Sequence, residues 1–185
     1  MRKRLFLSLI TMCSVVMLFN SCAYKLSLNG ASIPLDLKTI DIQFFENNAP
    51  LVVSTLSQTF TEALKSRIRS QTSISIVRSE ADAVMSGAIV GYNIAPVSIQ
   101  ATNNNAPPIA GASRLTITVQ VKYVKYLYNK EGKRTDDPDK ILSFEESFTK
   151  YKEFTGESSS QEQALIQDIV KQLTDDIFNR AFANW

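Results

Sequence analysis

From Leu115 to Tyr123 apolar and polar residues alternate without a break: Leu115, Ile117, Val119, Val121 and Tyr123 against Thr116, Thr118, Gln120 and Lys122. A strand sends successive side chains to opposite faces, so this run requires a sheet with one face buried and the other wet. The cover for the buried face is found in two stretches of helical period. Val53, Leu56, Phe60, Ala63, Leu64 and Ile68 form one apolar stripe, within a helix expected over 52–69. Ile166, Ile169, Val170, Leu173, Ile177, Phe178 and Ala181 form the other, with Ser160 and Gln163 spaced as a capping box before it.

The remaining strands follow from shorter patterns. Lys38 to Phe44 alternates for seven residues, and Ser73 to Val77 is a short strand beyond the first helix. That strand–helix–strand unit favours parallel pairing with a right-handed crossover. Val84 to Ile99 is a long strand, with Val84, Ala88, Val90, Tyr92 and Ile94 assigned to one face. Gly87, Gly91 and Pro96 inside it point to a bulge or an edge position. Gln100 to Ser113 is expected to be a loop, and Asn129 to Lys140 a charged connection before a last strand over 141–154. The expected fold is an α/β (α+β) two-layer sandwich in the order βαβββα. One mixed sheet carries both amphipathic helices on one face. A chain of 185 residues has room for one such domain, assigned to 38–185.

The first 22 residues are of a different kind. Arg2-Lys3-Arg4 is followed by the apolar run Leu5–Phe19, then Asn20-Ser21-Cys22. A positive start, a short apolar core and a small residue before the cut make a secretory signal, assigned to 1–21. The apolar run is too short for a membrane-spanning helix. The stretch Leu18-Phe19-Asn20-Ser21-Cys22 resembles the bacterial lipobox, although Phe19 stands where Leu is commonest. The resemblance implies cleavage before Cys22 and lipidation of its thiol and amine, with 22–37 as lipidated N-terminus and linker. Three acyl chains satisfy the need for more than one in a stable anchor. No Asp follows Cys22 and no acidic run follows it, which points to the periplasmic face of the outer membrane.

Composition removes several function classes. Cys13 and Cys22 are the only cysteines and there is no histidine, so neither a thiol nor an imidazole machine can be built in the body. No metal and no cofactor other than the covalent lipid on Cys22 is expected, and an enzyme would need a buried carboxylate pair. Losing Arg2, Lys3 and Arg4 leaves 17 of the 20 basic residues against 18 acidic, a net −1. That balance argues against nucleic acid as a partner.

Three acidic groups have bland readings. Glu145 and Glu146 are neighbours in a strand and face opposite ways. Asp136-Asp137-Pro138-Asp139 lacks the Gly and Glu of a calcium loop and reads as a turn. Asp175-Asp176 are expected to point to solvent. The basic residues Lys122, Lys125, Lys130, Lys133, Arg134 and Lys140 cluster along the central strand and its connection. They can meet an anionic group such as a lipid phosphate, or they can be edge lysines that prevent unwanted pairing.

The segments Ile40–Pro50 and Leu56–Leu64 resemble the LptE family of lipopolysaccharide-assembly lipoproteins, in its Bacteroidota form. Gly91-Tyr92 through Pro96-Val97, Arg114–Ile117 and Asp176–Phe182 fit the same pattern, so the resemblance runs from Cys22 to Trp185. It implies a non-enzymatic lipoprotein that plugs and helps assemble an LptD-type β-barrel and contacts lipopolysaccharide in transit. It also makes Lys122, Lys125, Lys130, Lys133 and Arg134 candidate lipopolysaccharide contacts, chosen by chemistry. The rival reading is a periplasmic lipoprotein that regulates a cell-wall enzyme or serves another exporter.

Overall fold

The computed structural model describes residues 37–51, 53–100, 109–128, 134–135 and 142–182. The signal segment, Cys22 and the linker lie outside them, as do Lys130, Lys133, Lys140 and the expected turn at Asp136-Asp137-Pro138-Asp139. The strands are β1 (Thr39–Ile42), β2 (Glu46–Asn47), β3 (Ser75–Val77), β4 (Ala83–Gln100), β5 (Ile109–Lys125), β6 (Leu127–Tyr128), β7 (Arg134–Thr135) and β8 (Leu142–Phe154). The helices are α1 (Leu56–Gln71) and α2 (Glu162–Phe182).

One six-stranded sheet runs β3-β1-β4-β5-β8, with β2 also paired to β4, while β6 and β7 form a separate two-stranded ladder. β1 is parallel to both β3 and β4, and β4, β5 and β8 form an antiparallel meander. The five major strands read from the sequence are all present, so the major elements run βαββββα; the expected order βαβββα counted one strand too few. The mixed sheet and the two helices on one face are as expected. Buried residues of β5 (Leu115, Ile117, Val119, Val121) share one core with Phe60, Leu64 and Ile68 of α1 and Ile169, Leu173 and Ile177 of α2. Each such side chain contributes roughly 1.5–3 kcal/mol by leaving water.

Local chemistry sets the element ends. α1 stops where Thr72 goes extended, its N–H and hydroxyl both donating to Ile68 O while its Oγ1 accepts from Ile74 N–H. The start of β1 is fixed by Asp82, whose Oδ2 accepts from the N–H groups of Lys38 and Thr39 and from Thr39 Oγ1. At α2 the expected capping box is absent. The Ser160 hydroxyl donates to Glu157 O, and the carbonyl of Ser158 receives the N–H groups of Gln161 and Glu162.

β4 corrects the sequence reading in three ways. First, Ile109–Ser113 is strand, not loop: Gln100 pairs with Ile109 and Pro96 with Ser113. Second, β4 is interior to the sheet as far as Ile89, where β1 and then β2 flank it, and has β5 alone as a described partner beyond that point. Pro96 lies in this one-sided part, where a missing N–H disturbs only half a ladder. Third, a bulge between Ile89 and Gly91 reverses the side-chain parity. Ala83, Met85 and Ile89 are buried before it and Tyr92 after it. Val84, Ala88 and Val90 therefore do not share a face with Tyr92, as simple alternation had put them.

Candidate binding surface

The sheet face away from the helices carries Arg114, Thr116, Thr118, Gln120 and Lys122 of β5. By register it also carries Ser86, Ala88 and Asn93 of β4 and Glu145, Ser147, Thr149, Tyr151 and Glu153 of β8. The large apolar residues Leu115, Ile117, Val119, Val121 and Tyr123 of β5 have the other parity, and Val124 at the strand's end shares this one.

Its charges are satisfied across strands. Arg114 donates through Nε (3.2 Å) and Nη2 (2.6 Å) to Glu153 Oε1, and its guanidinium lies 4.2 Å from the centroid of the exposed Tyr151 ring. The bond to Glu153 first, and its negative charge after, raises the pKa of Arg114. At the other end Lys122 Nζ is 4.0 Å from Glu145 Oε2, and Gln120 Nε2 donates to Glu145 Oε1 at 3.1 Å. Between the two pairs lies a hydroxyl strip, where the Thr118 and Thr149 side chains bond at 3.0 Å.

Of the candidate basic residues, Lys122 is displayed on this face. Lys125 is not: it is only 4% exposed and shares the inward parity of Tyr123. The same alternation that placed Lys122 outside should have placed Lys125 inside. Arg134 begins β7, opposite Tyr128. Lys130 and Lys133 lie outside the described residues, so of the candidates the structure places Lys122 on this face and Lys125 inside it. It brings forward Arg114, whose parity with Lys122 within β5 was the available signal, and Tyr151, which register with Thr116 places on the same face.

The edges and helices hold the other charges. On the inner parity of β8, Lys152 meets Asp168 (3.0 Å), Lys150 meets Asp176 (2.7 Å) and Glu146 meets Arg180 (2.5 Å). Glu145 and Glu146 thus fall on opposite faces, as alternation requires. The hydrogen bond from Arg180, more than its charge, holds the Glu146 carboxyl below its ordinary value. Asp175 and Asp176 are not simple solvent residues. Asp175 Oδ1 lies 3.0 Å from Arg67 Nε at ion-pair distance, although that buried nitrogen makes no well-directed hydrogen bond. Tyr92 Oη donates to Glu162 Oε1, and burial first and Glu162 second push its pKa up.

A shallow groove of about 310 Å³ runs between α1 and α2, lined by Thr59, Ala63, Ser66, Arg67, Lys171 and Asp175 among others. Among the described residues no group of three acidic, histidine or cysteine side chains is placed to hold a metal ion. Nor is any described helix long and apolar enough to cross a membrane. What the surface can do is bind: it offers flat polar contact, open backbone edges and few free charges.

Comparison with known proteins assigns the fold and the family. Rare lipoprotein B from Shewanella oneidensis is 13% identical with a TM-score of 0.51, over 78% of this chain and 93% of that one. The uncharacterized lipoprotein B from Nitrosomonas europaea is 14% identical with a TM-score of 0.50, over 82% and 84%. The hypothetical protein CT253 from Chlamydia trachomatis is 10% identical with a TM-score of 0.50, over 78% and 95%. At such identities these likenesses speak for the fold. No curated protein matches the chain. The family model described as LptE, lipopolysaccharide-assembly, matches residues 37–181, from the root of β1 to the last turn of α2. The chain belongs to the LptE family of lipopolysaccharide-assembly proteins.

Proposed function

We infer that the protein is a non-enzymatic lipoprotein of the outer membrane that occupies an LptD-type β-barrel, helps it assemble, and assists lipopolysaccharide on its way to the outer leaflet. Cleavage after Ser21 leaves Cys22 as the lipidated N-terminus at the periplasmic face, and the body from Leu37 onward enters the barrel lumen. The observation that carries this reading is the LptE match over essentially the whole described body. The surface is compatible with it. A barrel lumen is polar, and the open sheet face offers hydroxyls and internally paired charges rather than a catalytic cluster.

Affinity purification of the full-length lipoprotein from native outer membranes, with mass spectrometry of its companions, tests the reading. A large β-barrel in roughly equal amount is the expected result. A cell-wall enzyme or a soluble factor in place of any barrel would transfer the function to the regulator reading.

A further inference from the structure

Among the described residues the sheet shows three exposed margins, and they are not protected alike. β3 is only three residues long, and a short edge strand offers little to pair with. β8 is long, but Glu146, Lys150 and Lys152 project inward from it and are held by α2. Charges on that side of an edge strand resist addition of another strand.

The third margin is the side of β4 beyond β2. There β1 and β2 run alongside β4 as far as the Asn47↔Ile89 pairing, and Asn48 N–H donates to Ile89 O. From Val90 to Ala95 the outer side of β4 has no described strand partner, and Pro96 closes the run. The slot is six residues, or roughly 20 Å at 3.3 Å per residue, the length of an ordinary strand.

Two independent features mark this slot as covered in use. There is no charged residue from Ala83 to Ser113, 31 residues in a chain that is 21% charged. In addition, of the five exposed large hydrophobic residues among those described, Val90 (38%) and Val97 (41%) lie on this stretch of β4, and Phe44 (58%) and Leu51 (57%) lie on either side of its partner β2. Phe44 and Leu51 flank β2, while Val90 and Val97 bracket the open run. Lipid is a poor cover, because unpaired N–H and C=O groups in hydrocarbon cost several kcal/mol each. Water alone leaves an ungated edge with apolar flanks, an arrangement that invites pairing.

We propose that the Val90–Ala95 edge of β4 receives one extended, uncharged strand of the partner protein, which continues the line of β1 and β2. The inference rests on the reading that the partner is a β-barrel, and it gives the assembly role a physical form: a barrel segment held extended on a ready-made edge. Backbone hydrogen bonds supply the grip, and Phe44, Leu51, Val90 and Val97 desolvate its rim.

The test uses the full-length lipoprotein in its native envelope, with a photoreactive phenylalanine analogue placed singly at Val90, Asn93 or Val97. Ser66 and Lys171, on the helix side, serve as comparison positions. Adducts from the three slot positions should fall in order along one continuous segment of the barrel. The paired substitution Val90→Lys with Val97→Lys, at two exposed sites, should keep the thermal midpoint and cut barrel recovery roughly tenfold by leaving buried charges unpaired. Adducts scattered over several segments, adducts only with lipid, or adducts only with a second copy of this chain would each overturn the slot. So would barrel recovery unchanged by the two lysines. If wild type recovers the barrel while the slot gives no barrel adduct, the proposed function stands and the slot falls. If wild type recovers no barrel at all, the proposed function itself has failed.

Discussion

Gly87 has less room for a side chain than Gly91 or Gly156, and replacing it with alanine should be far more damaging than one methyl suggests. It pairs with Val121 across β4 and β5, one position from Gln120, whose strand is paired on both sides. A methyl built on Gly87 overlaps the carbonyl oxygen of Gln120, stands 3.1 Å from its carbon, and lies 2.7 Å from Phe45 Cε1. Ordinary contact begins near 3.4 Å. Phe45 is fully buried and packs edge-on against Phe60 at 5.0 Å, so it has nowhere to retreat without opening the core. Relief must come from parting β4 and β5. That breaks about two flanking ladder bonds, at about 1 kcal/mol net each, and adds an overpacking cost of about 1–3 kcal/mol. The expected loss is about 3–5 kcal/mol, a large share of the 5–15 kcal/mol typical of a whole domain. Without the clash, Gly→Ala in a strand should stabilise by about 0.5–1 kcal/mol, so the sign itself is diagnostic. Urea unfolding of the unlipidated mature chain, followed by circular dichroism, reads it. Gly91→Ala is the internal comparison, because its methyl meets only the Thr118 side chain at 3.1 and 3.3 Å and that backbone at 3.7 Å. It should cost under about 1 kcal/mol, near the lower limit for overpacking. Trimming Phe45 to Leu alongside Gly87→Ala should not rescue the loss, since the backbone overlap remains. A Gly87→Ala protein as stable as wild type would refute the reasoning.

The other expectations concern charge and location. Glu146 has its pKa lowered by Arg180, so its stabilising contribution is complete above the ordinary carboxylate value of 4.5 and is lost as pH falls through the lower folded value. Glu146→Gln should therefore lose less stability than wild type when melting is followed below pH 4.5; parallel curves would contradict this. Lys122→Ala should leave stability within about 0.5 kcal/mol, since its ion pair is exposed and long, and should reduce lipopolysaccharide retention on an affinity column. Lys125→Ala should instead cost about 1–3 kcal/mol in unfolding experiments, the range for a buried side chain that loses its packing, with retention changed only as far as folding is. Cys22→Ser should move the protein from the membrane to the soluble fraction of the envelope, and its persistence on membranes washed at high salt would argue against the lipid anchor.

The sequence carried the architecture better than the details, for reasons visible in particular residues. Leu115 to Tyr123 has no interruption in its period, and β5 lies where that period places it. The stripe from Ile166 to Ala181 likewise became α2. Face assignment on β4 failed because the bulge between Ile89 and Gly91 inserts one residue into the count, and the glycine that marks it does not say which way the parity moves. The boundary at Ser113 failed because Ile109–Ala112 is apolar without alternation, and only its antiparallel pairing with β4 makes it strand. Ser160 and Gln163 have capping-box spacing, but the Glu157 and Ser158 carbonyls organise the turn first. Lys125 was misplaced by grouping residues by charge instead of by parity. Arg114 was passed over because its partner, Glu153, is 39 residues away. Cross-strand ion pairs are not legible until register is known.

The distribution of satisfied charge bears on how such a protein recognises anything. Arg114 is held by Glu153, Lys122 approaches Glu145, and Lys150, Lys152 and Arg180 are tied between β8 and α2. Each pair cancels its own field within a few ångströms, and the net charge is small, +2 for the full sequence and −1 without the expected signal segment, so long-range steering has little to act on. Recognition then has to come from short-range terms: backbone hydrogen bonds, desolvated apolar rims and shape. Those terms operate only after contact, which suits a subunit confined to a membrane with its partner better than one that must find it by diffusion. The proposed lipid anchor at Cys22 and the charge-free edge on β4 would in this sense be complementary. Such an anchor would raise the encounter frequency that electrostatics cannot, and the edge would supply affinity that survives the ionic strength of the envelope.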